Sequence, residues 1–287
     1  MTKTKKDYLN VAIIMSRLDN KSAYFNGPPM SLLEEHEARR ELREGLRQLS
    51  RSIEKPDIIL APELSAPRAF ITELKQHAKQ LGAICIFGFD YKLDRVNRTA
   101  KNEIIIIIPN RWPCKYFNGK TYQYSLFKSN PAPGEAKALN DSNWKLEVDS
   151  RLWLFKAGSY GNFGIAICYD FLDVEMHLLY KTKIHHLFVL SYNKDVPSFH
   201  HTAESLCRNL FCNVVICNTG FYGGSISVAP YHNTFDRVIL KNEGSKLFST
   251  HLVKLPIKCI DDKQKGKQAK CDQKTLKSLP PRFDINK

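Results

Sequence analysis

The chain has 287 residues, 43% of them hydrophobic and 25% charged, with a formal net charge of +14. Such a composition excludes a disordered chain, and the length allows one large domain or two smaller ones. The longest apolar run, Ile104–Pro109, is far short of the roughly 20 residues that cross a bilayer, and the charged stretch Met1–Asn10 lacks the apolar core of a secretory leader.

Leu9–Met15 reads as a short strand and Ser31–Ile53 as the clearest helix. In that helix Leu42, Leu46, Leu49 and Ile53 recur at helical spacing, while five Arg and five Glu interleave on the other faces. Pro56 ends it. Asp57–Ala61 follows as a buried strand running into Pro62–Glu63, and Pro67–Leu81 as a helix stopped at Gly82. Ala83–Phe89 and Glu103–Pro109 are the next strands. The aromatics Trp112, Tyr116, Tyr122 and Tyr124 around Asn118–Gly119 then signal a hairpin over Arg111–Phe127.

Asn130–Gly134 reads as a Pro/Gly-rich loop. Strands resume at Leu152–Lys156 and Phe163–Cys168, and Asp173–Lys181 is helical before the strand His186–Ser191. Phe199–Cys212 is helical. Asn213–Asn218, Gly223–Val228, Phe235–Leu240 and Phe248–Leu255 complete the strands, and no internal repeat is present. Near-continuous apolar strands alternating with helices indicate an α/β architecture with a helix-covered sheet. From Lys258 the periodicity is lost, so we read residues 1–257 as one domain and 258–287 as a basic tail, draped over the body or disordered.

Three residues carry candidate chemistry. Cys168 ends the apolar strand Gly164–Cys168 and precedes Tyr169-Asp170-Phe171. It is either a small buried hydrophobe or a thiol held at a strand-to-helix turn, where following amides can stabilise an anion. Glu63, just past a buried strand, is either a loop acid or a partly desolvated general base. Lys128, between the hairpin and Ser129–Glu135, is either a solvated lysine or a fixed cation for a developing oxyanion.

Together, Glu63 after its apolar run and proline, Lys128 some 65 residues later and Cys168 in Gly-Ile-Ala-Ile-Cys-Tyr-Asp-Phe resemble the Glu–Lys–Cys triad of the nitrilase, or carbon–nitrogen hydrolase, superfamily. The resemblance covers roughly residues 8–255. It extends to Glu135 as the second glutamate after the lysine, Glu175 in the helix after the nucleophile, Leu190–Asn193 at a strand end, the helix and strand His200–Asn218 running into Gly220, and Gly224–Ser227 with Pro230. Three departures stand out: Tyr231-His232 where a glycine is usual, no arginine in Leu172-Asp173-Val174, and a Pro-rich Ser129–Gly134 loop.

The resemblance implies a four-layer α-β-β-α sandwich of two mixed sheets. It implies a thiol hydrolase that cleaves a non-peptide C–N bond, an amide before a nitrile or carbamoyl substrate, without metal or organic cofactor. Cys168 would be the nucleophile, Glu63 the general base, Lys128 with the backbone N–H of Tyr169 the oxyanion site, and Glu135 the residue orienting Lys128 or water. Asn193 and His200 would lie near the substrate pocket, and a homodimer or larger homo-oligomer would form through helices near the nucleophile.

Other constellations carry separate expectations. His185-His186, His200-His201 and Cys207/Cys212/Cys217, with Cys207 and Cys212 read as helical, lack the usual zinc spacing, so no metal site is expected. The eight cysteines form no CxxC pair, and we expect a reduced, cytoplasmic protein without a disulfide framework. Residues 92–128 hold eight basic residues against two acids and 254–287 ten against four. These segments, with Trp112, Tyr116, Phe117, Tyr122 and Tyr124, leave an alternative open: a module acting through a nucleic-acid, nucleic-acid-enzyme or acidic protein partner, with catalysis reduced or repurposed, although for the hairpin we prefer aromatics packed into the sheet, since aromatics favour strands anyway.

Overall fold

The structure is a computed structural model in which residues 5–113 and 119–283 are described. In chain order the elements are β1 (Tyr8–Met15), α1 (Asn20–Ala23), α2 (Leu32–Arg51), β2 (Ile58–Ala66), α3 (Ile71–Leu81), β3 (Ile84–Asp94), β4 (Thr99–Pro109), β5 (Thr121–Phe127), α4 (Pro133–Asp141), β6 (Lys145–Leu146) and β7 (Leu154–Lys156). They continue with β8 (Asn162–Ile167), α5 (Val174–Tyr180), β9 (His186–Ser191), α6 (Val196–Asn209), β10 (Asn213–Asn218), β11 (Ser225–Val228), α7 (Thr234–Arg237), β12 (Val238–Asn242), β13 (Ser249–Pro256) and α8 (Lys258–Gln264). A two-stranded ribbon of Lys270–Cys271 and Lys274–Thr275 follows.

Two mixed sheets form. One runs β13-β1-β2-β3-β4-β5 with β6 beside β4, the other β12-β11-β10-β9-β8-β7. Strand periodicity decides what each face meets. In β1, Val11 and Ile13 point inward and pack with Ile58, Ile86 and Ile106 against Ile165, Phe188 and Val215 of the second sheet. Ala12 and Ile14 point the other way, beneath Leu42, Leu46, Leu74 and Ala78 of α2 and α3. On the outer face of the second sheet, Val189, Val214 and Ile216 meet Met176, Ala203 and Leu206 of α5 and α6. The result is four layers, α-β-β-α, as the resemblance implies.

Local chemistry explains the boundaries. Ser31 caps α2 with its side chain, and Gly82 ends α3 in the left-handed conformation. Ile53, expected on the helix face, lies beyond the end of α2 and is fully exposed. Asn130–Gly134 is not all loop: Pro133 occupies the first turn of α4, where its missing N–H costs nothing. Phe235–Leu240 is divided between α7 and β12, and Cys212 lies between α6 and β10 and not in the helix. Asn118 of the expected hairpin turn lies outside the described residues, as do Cys114, Tyr116 and Phe117. The flanking β4–β5 pairing is a hairpin in register from Glu103↔Phe127 to Pro109↔Thr121.

The C-terminal segment is folded against the body through its described residues. Cys259, Ile260, Cys271, Leu276 and Phe283 pack with Phe211, Ala229 and Tyr231. Backbone bonds from His232 N to Thr275 O and from Lys277 N to Pro230 O pin it down. Tyr231-His232, a departure from the family pattern, thus serves as the docking point of this segment. Cys259 and Cys271 form a disulfide, which corrects the expectation of wholly free thiols. Their pairing depends on α8 and the ribbon bringing together cysteines 12 residues apart, which motif spacing does not reveal. Among the described residues Cys85, Cys168, Cys207, Cys212 and Cys217 are free and buried, and no helix is long and apolar enough to cross a membrane.

Candidate active site

The site lies at the carboxyl ends of β2, β8 and β9, beside the end of β5, the region where open α/β sheets present ligand-binding crevices. Glu63 belongs to β2, but the β2–β3 register jumps from Ala61↔Phe87 to Ala66↔Phe89, so Pro62–Ser65 bulges out of the ladder. Leu64 takes a positive φ of 55° within the bulge. Ser65 Oγ donates to Pro62 O at 2.7 Å and ties the bulge back on itself.

Cys168 occupies the left-handed region, with φ 47°, at the junction of β8 and a single 3-10 turn, Cys168–Leu172. A cysteine rarely adopts that conformation, and such backbone strain concentrates at functional turns. Tyr169 lines the cavity and sits in the first positions of the turn, where amides have no intrahelical partner.

Lys128 is buried. Its Nζ donates to Glu63 Oε1 at 2.8 Å and to Glu135 Oε2 at 2.6 Å. Asn102, fully buried on β4, donates from Nδ2 to Glu63 Oε1 at 2.8 Å and to Glu135 Oε1 at 2.6 Å. Tyr91 adds a hydroxyl bond to Glu135 Oε1 at 3.1 Å. The other Glu63 oxygen, Oε2, accepts the backbone N–H of Tyr192 at 2.9 Å, and Glu63 and Cys168 line the same cavity. Lys128 and Asn102 thus hold one Glu63 oxygen, and the Tyr192 N–H holds the other.

The electrostatics follow from burial and charge count. Burial and the Glu63 carboxylate push the Cys168 thiol well above its ordinary range, and Lys128 only partly opposes them. At rest Cys168 is therefore a thiol, and ionising it requires a base. Burial alone would lower the Lys128 pKa, but Glu63 and Glu135 outweigh it and hold the ammonium well above its usual range. Removing one partner of such a buried pair costs about 3–5 kcal/mol, because a charge is left uncompensated.

Asp170, two residues past Cys168, accepts from Asn130 N at 2.6 Å and from Ser129 N at 3.2 Å. It ties the segment after Lys128 to the turn Cys168–Leu172. Burial raises its pKa to about 6, against those two amides.

A cavity of about 650 Å³ opens over Cys168, Glu63 and Lys128, and its walls include Tyr24, Leu64, Tyr91, Leu139, Phe199 and Tyr222. Glu135, Tyr169 and Asn193 also line it. The Asn193 side chain is engaged with the Asp195 backbone, 2.9 Å from its carbonyl and 3.0 Å from its N–H. His200, expected near the pocket, does not line it; its imidazole turns to Gly224 O at 2.9 Å, because this face of α6 packs on the loop before β11. Glu175 is exposed on α5, with its own N–H capped by Asp173. The histidine and cysteine groups do not converge: among the described residues no three His, Cys, Asp or Glu side chains are arranged to hold a metal ion.

Asn102 and Tyr91 carried no sequence signal of their own, because both lie inside ordinary strand patterns. Asp170 stood within the quoted cysteine motif without a role until the Lys128 loop was seen against it.

No family model matches the sequence, and no curated protein matches it. Solved structures do match. Nit3 of Saccharomyces cerevisiae, of branch 10 of the nitrilase superfamily, superposes with a TM-score of 0.64 at 16% identity, over 92% of this chain and 97% of that one. XC1258 from Xanthomonas campestris, a CN-hydrolase superfamily protein with an arsenic adduct in its active site, gives 0.58 at 9%, over 86% and 91%. A variant of the amidase from Nesterenkonia sp. AN1, bearing the acetamide moiety of fluoroacetamide on its active-site cysteine, gives 0.57 at 12%, over 89% and 94%. The chain has the fold of the nitrilase, or carbon–nitrogen hydrolase, superfamily.

Proposed function

We propose that the chain is a thiol hydrolase acting on a non-peptide C–N bond, with an amide as substrate and a Cys168 thioester as intermediate. The carrying observation is that Cys168, Glu63 and Lys128 line one cavity, with Glu63 Oε1 held at 2.8 Å by buried Lys128. Glu63 takes the thiol proton as Cys168 Sγ bonds to the carbonyl carbon. The resulting oxyanion is held by Lys128 Nζ and the Tyr169 N–H. Glu63 then protonates the nitrogen, the C–N bond breaks and ammonia or an amine leaves. Water, deprotonated by Glu63, attacks the thioester and releases the carboxylic acid and the thiol. Glu135 keeps Lys128 in place. The covalent cysteine adduct described for the Nesterenkonia amidase variant supports the nucleophile assignment.

The test is Cys168→Ala against a panel of amides and nitriles, with ammonia release and intact mass as readouts. Wild type should acquire an acyl mass that Cys168→Ala lacks. Turnover by a verified Cys168→Ala protein would refute the assignment.

A homo-oligomer is part of the same proposal. Directly after the nucleophile turn, Val174, Leu178 and Leu179 are 67%, 67% and 52% exposed on a short helix. That apolar face suits a second copy of the chain. For the alternative, a nucleic-acid partner, Tyr122 and Tyr124 are outward on edge strand β5. Against it, many nearby and C-terminal cations are engaged internally: Lys101 with Glu147, Lys258 with Asp262, Lys265 with Asp261 and Lys274 with Asp236. Salt-insensitive behaviour of full-length protein on nucleic acid would eliminate that alternative.

A further inference from the structure

We infer that Asp90 is a positioning residue whose carboxylate pins the Tyr24–Met30 loop in place as one wall of the cavity over Cys168. This role goes beyond the hydrolase reading above and rests on it only where turnover is measured. Asp90 is buried, and the proposed reaction gives it no part. Its placement follows from a fault in a ladder. β3 pairs with β4 at Phe89↔Glu103 and, after a register shift, again at Lys92↔Lys101. Two residues, Asp90 and Tyr91, therefore stand opposite one, Asn102, as in a β-bulge. In a regular strand the two side chains would point to opposite faces. Here the Tyr91 hydroxyl reaches Glu135, while the Asp90 carboxylate turns to the connection between β1 and α2.

Asp90 Oδ1 accepts the Tyr24 hydroxyl at 3.0 Å and the Tyr91 N–H at 2.7 Å, and Oδ2 accepts the Met30 N–H at 3.1 Å. Two of these three donors belong to the loop. Arg68 stands nearby, but its guanidinium bonds the Asp90 carbonyl oxygen at 3.2 Å and the Glu103 carboxylate. Burial raises the Asp90 pKa, against those donors and the Arg68 charge. Burial and the Asp90 charge also hold the Tyr24 hydroxyl well above its usual range, so it stays a donor. Three donors aimed at one group call for an acceptor without protons, which an ionised Asp is and an Asn is not. The loop needs such a pin. Tyr24, Gly27 and Pro28 line the cavity, yet Phe25 is 81% exposed, and Asn26 and Pro29 are exposed as well. Its apolar anchorage is a small cluster of Leu18, Ala23, Met30 and Ala38 with Tyr24 beside it. The Ser31 N–H donates to Ala23 O at 2.7 Å and ties the ends together, so the loop closes on itself. Its seat on the neighbouring elements is then Gly27 against Ser142, the Tyr24 ring edge-on to Tyr91 at 5.3 Å, and the Asp90 bonds.

The experiment measures access to Cys168 on the full-length protein and needs no turnover. Wild type, Tyr24→Phe and Asp90→Asn are alkylated with iodoacetamide and with its bulkier, neutral N-pyrenyl derivative. In both reactions the cysteine sulfur displaces iodide, and peptide mapping follows each cysteine separately. Both variants should raise the ratio of bulky to small reagent rates at Cys168 by about tenfold or more, in keeping with the loss of a buried bond to a charged group. Asp90→Asn should have the larger effect, because its amide turns N–H donors toward the loop's own donors. Cys85, Cys207, Cys212 and Cys217, buried elsewhere, should keep their wild-type rates. If Asp90→Asn fails to fold, Tyr24→Phe decides the matter. An unchanged ratio at Cys168 overturns the inference. So does faster alkylation of all five cysteines together, which marks general loosening. With an amide that wild type hydrolyses, both variants should raise KM by a larger factor than they lower kcat, since a wall binds ground and transition states alike. A lowered kcat at unchanged KM also overturns the role of Asp90 as a pin. Absence of turnover on every amide counts against the hydrolase reading alone, and the alkylation result stands apart from it.

Discussion

Gly88 lies directly against Glu63: a Cβ added at Gly88 would come within 2.4 Å of the Glu63 Cα and 2.3 Å of the Pro62 carbonyl oxygen. The β2 bulge that aims Glu63 into the cavity exists because β3 offers it a residue without a side chain. Both clashing atoms are backbone, so no rotamer change relieves them. Gly88→Ala should lower stability by about 1–3 kcal/mol, as overpacking does. It should also cut kcat/KM by two orders of magnitude or more through displacement of the base. Thermal unfolding and kinetics of a purified Gly88→Ala protein check both; unchanged turnover would show that the bulge tolerates the shift.

Asn102 spans the two carboxylates with a single amide nitrogen. Replacing it by Asp puts a third carboxylate beside Glu63 and Glu135, which raises the proton affinity of the cluster. The acid limb of the pH–kcat/KM profile should move upward in Asn102→Asp. Asn102→Leu, which cannot donate and adds no charge, should lose kcat and leave the acid limb where it is. A full pH profile for each variant distinguishes this from a simple packing loss, which would lower the curve without moving it.

Asp170 should titrate at about 6 in the folded protein. Its folded pKa lies above the usual carboxylate value, so the folded state binds the extra proton more readily than the unfolded chain. This group's contribution to stability therefore falls as pH rises from about 4 through 6. Ionised Asp170 is nevertheless the better acceptor for Ser129 and Asn130 N–H, which position Lys128. Asp170→Asn should remove the pH dependence of stability across that window and lower kcat at neutral pH by about tenfold. Denaturant melts at pH 4.5 and 7.5 measure the first effect; coincident pH dependence in wild type and variant would refute it.

Glu63→Gln keeps the shape of the carboxylate and loses its basicity. Water attack on the thioester then lacks its base, so an activated amide or acyl donor should leave a persistent acyl mass on Cys168. Intact-mass spectra after mixing would show it. Rapid loss of the adduct at the wild-type rate would assign the hydrolytic base elsewhere.

Leu178→Glu with Leu179→Glu on α5 should reduce the assembly to monomer without lowering thermal stability by more than about 1 kcal/mol, since both side chains are exposed in the single chain. Light scattering during size exclusion reads the mass directly. A wild-type protein that is already monomeric at tens of micromolar would refute the docking role of this face.

Local pattern determined the ladder of strands and helices. β9 and β10 fall on the expected residues because continuous apolar runs bounded by polar turns allow little else. The strand-to-turn junction at Cys168 was equally legible, since Gly-Ile-Ala-Ile-Cys-Tyr-Asp-Phe is contiguous and so carries its context with it. Glu63 and Lys128 were legible only by order and spacing along the chain. What chain order could not supply was decided in three dimensions. Asn102 shares one amide between two acids because β4 runs beside the bulged β2–β3 pair. Asp170 reaches the Lys128 loop across the interface of the two sheets. His200 faces Gly224 and away from the pocket, and Cys259 meets Cys271 in a segment with no periodicity to read. Each of these depends on contacts between residues far apart in the chain, or on the direction of a side chain relative to a neighbouring layer. Hydrophobic periodicity encodes which face of an element is buried; it does not encode which residue of another element will stand opposite.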